Sequence, residues 1–169
     1  MAKYAAFLRA VNVGGTGRLP MAELRVLCED LGFTAVKTYI ASGNVVLETG
    51  QNAEKIHASL NNAIAQHMGK SVGLFLREPQ ELRNMIERNP FTAADGNRVM
   101  VILLDAEPST KMISDAKNQV DEAIALGPRS LYVHYPSGMG KSKLKIPGAE
   151  QGTARNLNTI RAVWEMTLG

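Results

Sequence analysis

Residues 3–31, KYAAFLRAVNVGGTGRLPMAELRVLCEDL, constrain the fold of this chain more than any other stretch. Residues 4–10 form a nearly unbroken apolar run one strand long, as a strand buried on both faces requires. The glycines at 14, 15 and 17 then permit a tight turn. Beyond it Met21, Leu24, Leu27, Cys28 and Leu31 recur at helical spacing, with Pro20 suited to the first helical turn and Gly32 to the C-terminal cap. Cys28 falls on the apolar face, where a packing role is expected of it.

Further along, residues 36–41 and 45–48 read as two strands joined at Ser42-Gly43-Asn44, a tripeptide that tolerates positive φ. Residues 52–68 read as a helix with Ile56, Leu60 and Ile64 inward, closed by Gly69, and residues 72–76 as another strand. That order, β-α-β-β-α-β, is the split βαβ or ferredoxin-like unit. A connecting helix over 79–88 ends at Asn89-Pro90. The pattern then begins again, with a strand over 99–104 and a helix from Ser109 to about residue 119. Strands over 122–126 and 130–135 flank Gly127-Pro128, and a last helix runs over 153–167. The expected fold class is α+β, a ferredoxin-like first half followed by a similar, incomplete α/β second half. The boundaries expected are 1–77, a connection over 78–97, and 98–169.

Bulk composition narrows the class of protein. No apolar run approaches the roughly 18 residues that cross a bilayer, and Arg9 interrupts the N-terminal one. Asn12 and Gly14 follow that run where a signal peptide would have a small-residue cleavage site. One cysteine among 169 residues rules out an internal disulfide framework and fits a reducing cytoplasm. The net charge is only +3, but it is segregated. Residues 1–20 carry +3 through Lys3, Arg9 and Arg18, and residues 137–161 carry +4 through Lys141, Lys143, Lys145, Arg155 and Arg161 against Glu150. The remaining 124 residues sum to −4. Positive charge held in glycine-bearing loops favours an anionic partner, a small molecule or a nucleic acid, and gives no reason to expect a membrane.

Most motifs with a familiar outline fail on spacing. Gly138-Met139-Gly140-Lys141-Ser142 resembles the tail of a phosphate-binding loop, yet Tyr135 stands where the first glycine belongs and Pro147 stops any long helix after it. Gly14-Gly15-Thr16-Gly17 sits between strand and helix, but Pro20 falls where the last glycine of a dinucleotide fingerprint would be. What survives is a glycine-rich turn whose backbone N–H groups can face a phosphate or carboxylate. RNA recognition through stacked bases is not expected, because the third strand presents Val45, Val46 and Leu47 in place of aromatics. His57, His67 and His134 lack metal-ligand spacing, so no metal and no cofactor is expected. Ser42, Ser137 and Ser142 have no neighbouring base and read as turn formers.

Five blocks together resemble one family: YAAFLRAVNVGG (4–15), PMAELR (20–25), YIASGNVV (39–46), YPSGMGKSKL (135–144) and TARNLNT (153–159). The chain resembles, over essentially its whole length, the bacterial domain of unknown function 1697 family. That resemblance implies a compact cytoplasmic α+β protein with ferredoxin-like halves and carries no activity with it. The family pattern usually has Trp at the position of Leu157 and often Arg at that of Lys141. An aromatic lost at 157 implies a looser pocket, and lysine at 141 exchanges a planar fork for a point charge.

The candidate ligand-binding set is Arg9, Asn12, Gly14, Gly15, Ser42, Asn44, Lys141, Ser142, Lys143, Arg155 and Asn156, expected to gather on one edge. The leading expectation is binding of an anionic ligand (a nucleotide, a phosphate or a nucleic-acid backbone) at these loops. Two alternatives stand beside it: an enzyme acting on a phosphorylated or carboxylated small molecule, and an interaction module whose motif residues only tie loops together.

Overall fold

The computed structural model describes residues 1–9, 11–12 and 18–169, so the turn expected at Gly14 and Gly15 lies outside the described residues. The chain divides into two compact units, Met1–Pro79 with Val163–Gly169, and Gln80–Ala162.

The first unit contains β1 (Ala2–Leu8), α1 (Met21–Asp30), β2 (Thr34–Tyr39), β3 (Asn44–Thr49), α2 (Ala53–Met68) and β4 (Leu74–Arg77). Its sheet has the order β2-β3-β1-β4, all neighbours antiparallel, which is the split βαβ arrangement. Tyr4, Ala6 and Leu8 of β1 pack with Leu24 and Cys28 of α1 and with Ile56, Leu60 and Ile64 of α2. Ala5 and Phe7, on the opposite face, are buried as well, so the apolar run was legible for a physical reason: neither face meets water. Asn52 caps α2 by accepting from the Lys55 N–H at 2.9 Å, and Gly69 closes it in the left-handed region at φ +72°.

The second unit repeats this wiring with one omission. Helix α3 (Pro79–Glu87) leads to β5 (Val99–Leu103), α4 (Thr110–Ser114), β6 (Ala123–Gly127), β7 (Ser130–His134), β8 (Thr153–Asn156) and α5 (Leu157–Met166). The sheet order is β6-β7-β5-β8, the same strand exchange as in the first unit. One sheet face, with Val99, Val101 and Leu103, is buried toward α3, where the Tyr132 hydroxyl donates to the Met85 carbonyl at 2.6 Å. The other face, with Ile102, Leu131 and Val133, is covered by α4 and by a long connection over residues 135–152. In the first unit two full helices, α1 and α2, occupy the equivalent face.

Two expectations are corrected here. The helix from Ser109 is five residues long, because the chain leaves it to pair Lys117 with Lys145 in an isolated antiparallel bridge. The helix expected over 153–167 begins as a strand: residues 153–156 pair with β5, and α5 starts only at Leu157. The second half is therefore complete in its strands and incomplete in its second crossover helix. Among the described residues no helix is long and apolar enough to cross a membrane.

Candidate functional site

In the first unit the sequence motifs converge, and their polar groups are used internally. Asn12, at φ +58°, donates from its side-chain amide to the Leu19 and Ala41 carbonyls, both at 2.7 Å, and accepts from the Leu19 N–H at 2.7 Å. It thus ties the far end of the glycine-rich stretch to the hairpin turn between β2 and β3. Asn44 is fully buried and donates to the Tyr39 carbonyl at 2.8 Å and to the Ser42 hydroxyl at 3.0 Å. Gly43 sits at φ +91°, and a Cβ there would lie 2.8 Å from Val11 and 2.9 Å from Leu8, so only glycine fits this crossing. Arg9 is half-buried and lays its aliphatic stem against Gly73. Gly14 and Gly15 lie outside the described residues.

In the second unit the expected residues separate. Arg155 is buried on β8, its guanidinium donating to the Thr153 hydroxyl at 2.8 Å and the Ala154 carbonyl at 3.0 Å. Burial holds its pKa down at about 10. In register it lies opposite Val101, whereas Ala154 lies opposite Ile102. Strand alternation therefore puts Arg155 on the sheet face away from the 135–152 connection. Arg155 does not join the lysine-bearing loop as expected; a strand has replaced the helix start that was to present it. Asn156 is spent on a cap, its side-chain oxygen accepting from the Thr159 N–H at 2.8 Å.

Lys141 and Lys143 are exposed. Between them Ser142 donates its hydroxyl to the Glu122 carboxylate and accepts from the Leu144 N–H at 3.2 Å. Glu122 is buried and also accepts from the Val120 N–H at 2.6 Å. These bonds, that from Ser142 first, hold its carboxyl below the ordinary carboxylate pKa. Ser137 donates to Asp121 in the same way. Two serine–carboxylate clasps therefore fasten the 135–152 connection to the segment preceding β6.

Beneath this strap lies a pocket of about 530 Å³ lined by Ile102, Tyr135, Leu144, Ile146, Pro147 and Ala149 together with Lys117, Lys145 and Glu150. It exists because a strap of extended chain covers the sheet where a helix would have filled the space. Lys117 and Lys145 exchange both backbone hydrogen bonds, at 2.8 and 2.9 Å. In such a pair the two side chains leave the ribbon on the same side. Like charges placed directly opposite one another cost stability, of the order of 0.2–1 kcal/mol. Neither ammonium forms an ion pair with a described residue. Burial, with the Glu122 carboxylate nearby, raises the pKa of the Tyr135 phenol, so the group lining the pocket is a neutral hydrogen-bond donor.

Lys117, Lys145, Tyr135 and Ile102 were not in the expected set. Lys145 was visible as part of the basic stretch, but Lys117 fell within an expected helix, and nothing local in the sequence foretells a bridge 28 residues long. Among the described residues no group of histidine, cysteine or carboxylate side chains is arranged to hold a metal ion.

The class these features define is an α+β protein of two split-βαβ units, one of them strapped where it lacks a helix. The chain belongs to the family described as "Protein of unknown function (DUF1697)", whose model matches residues 1–132. The blocks at 135–144 and 153–159 lie beyond that match. The fold is shared with the conserved bacterial protein SP0830 from Streptococcus pneumoniae, at a TM-score of 0.81 and 23% identity, covering 98% of each chain. Among curated proteins none matches the chain.

Proposed function

We propose that the protein binds a small anionic ligand at the strapped pocket of its second unit. The observation that carries this reading is the Lys117–Lys145 pair, two like charges set opposite each other at the pocket, neither in an ion pair with a described residue. An anion seated between them relieves their repulsion and accepts charge-assisted hydrogen bonds from both. Exposed Lys141 and Lys143 on the same connection add attraction for the incoming ligand. A concave site favours a small molecule over the flat stripe of cations that a nucleic-acid backbone follows.

For the first unit the reading is different. Asn12, Ser42 and Asn44 spend their polar groups tying loops together, which supports a structural role for that motif.

Calorimetric titration with inorganic pyrophosphate, ATP and 2-naphthoate, at low and moderate salt, tests the proposal. At least one of the three is expected to bind with 1:1 stoichiometry, more weakly at higher salt. The Lys117→Glu/Lys145→Glu protein is expected to lose that binding while keeping its melting temperature. No binding by any of the three, or binding indifferent to the two charge reversals, overturns it.

A further inference from the structure

Resting on that reading, we infer that the ligand is an amphipathic organic anion, with an apolar ring or branched-chain body and one carboxylate or comparable acidic group, and not a polyphosphate. The lining divides by chemistry. Ile102 of β5 forms the sheet side, and Leu144, Ile146, Pro147 and Ala149 of the strap form the opposite side, all of them apolar. Leu144, Ile146 and Ala149 also belong to the apolar cluster built on Leu131 and Val133, so this floor is continuous with the core of the unit. Burying a polyphosphate here would desolvate three or four negative oxygens against aliphatic carbon, a penalty that two surface lysines do not offset.

The charge around the pocket points the same way. Lys117 and Lys145 bring two cationic side chains to the lining, but the Glu150 carboxylate lines it as well and the Glu122 carboxylate lies near Tyr135, so a ligand with several negative charges meets carboxylates as well as ammoniums. The Tyr135 phenol can donate a further hydrogen bond to an acid. The size also fits, since pockets of roughly 300–1,000 Å³ accept drug-sized molecules and this one measures about 530 Å³.

The probes are 2-naphthoate, its uncharged counterpart 2-naphthylmethanol, and inorganic pyrophosphate, followed by calorimetry and by shifts of the Tyr135, Leu144 and Ala149 resonances. 2-Naphthoate is expected to bind and to perturb those resonances, with affinity at least about tenfold above that of the alcohol. Pyrophosphate is expected to leave them in place. Lys117→Ala/Lys145→Ala should erase most of the preference for the acid while the alcohol is unaffected, and Ala149→Trp, which fills the pocket without touching charge, should block both. Equal binding of acid and alcohol overturns the inference, as does naphthoate binding that Ala149→Trp does not disturb. Lysine-dependent binding of pyrophosphate or ATP without naphthoate overturns the inference while leaving the anion site standing. Absence of binding by every anion removes both together.

Discussion

At the scale of single residues, a polar side chain in a turn declares that something holds it, and its partner decides whether that something is a ligand or the chain itself. Asn12 was legible as a special residue because it follows a strand and precedes glycines. Its three internal hydrogen bonds were not, since Leu19 and Ala41 become its neighbours only once the hairpin has folded. Glu122 is the reverse case, a buried carboxylate the sequence marked as an ordinary strand residue. It accepts from Ser142 and from the Val120 N–H, and its folded pKa is lowered from 4.5. A carboxyl whose pKa falls on folding contributes stability above its unfolded value and loses it as pH drops through the folded one. The strap should therefore be firm above pH 4.5 and loosen below it. Amide shifts of Val120 and Leu144 should titrate together at a midpoint under 4.5, and Glu122→Gln should abolish that titration. The stability difference between the parent and Glu122→Gln should be widest near neutrality and close as the pH falls; a gap that widens in acid would contradict the clasp.

At the scale of elements, periodicity succeeded wherever an element faces one core along its whole length. The strands and helices of the first half came out in the right order because β1, α1 and α2 each bury a consistent face. The sequence failed where a tertiary contact outweighs local pattern. Residues 153–156 carry an acceptable helical start, but their backbone pairs with β5. Gly152 makes that pairing possible, because a Cβ there would stand 2.4 Å from the Leu103 carbonyl oxygen and 3.0 Å from Ile102. Gly152→Ala must push β8 away from its neighbour, at a cost of about 1–3 kcal/mol by analogy with overpacked cores. Gly140, in the strap, has open space at the Cβ position, so Gly140→Ala should stay within about 0.5 kcal/mol of the parent. Urea midpoints of the two variants check the contrast, and comparable losses would show that β8 is not held by close approach.

At the scale of the whole molecule, the chain groups into two compact units. The break falls after Pro79, near the expected boundary, but residues 163–169 belong with the first unit although 157–162 belong with the second. Nothing in a helical periodicity can signal that one helix serves two units, since its apolar side reads as continuous. The consequence is that the end of the chain supports its beginning. Val163 is fully buried and Thr167 nearly so, and the Lys3 ammonium on β1 donates to the Thr167 carbonyl at 3.1 Å and to that of Gly169. Removing residues 163–169 takes buried Val163 and both Lys3 acceptors from the first unit, a loss of about 3–5 kcal/mol out of the 5–15 typical of a domain. Removing only Leu168 and Gly169, of which Leu168 is exposed, takes away one acceptor and should cost under about 1 kcal/mol. Hydrogen exchange is the sharper readout: the amides of β1 and β3 should lose protection in the longer deletion and keep it in the shorter one. Unchanged protection of β1 in the longer deletion would mean that the first unit is complete by residue 79 and that its last seven residues are passengers.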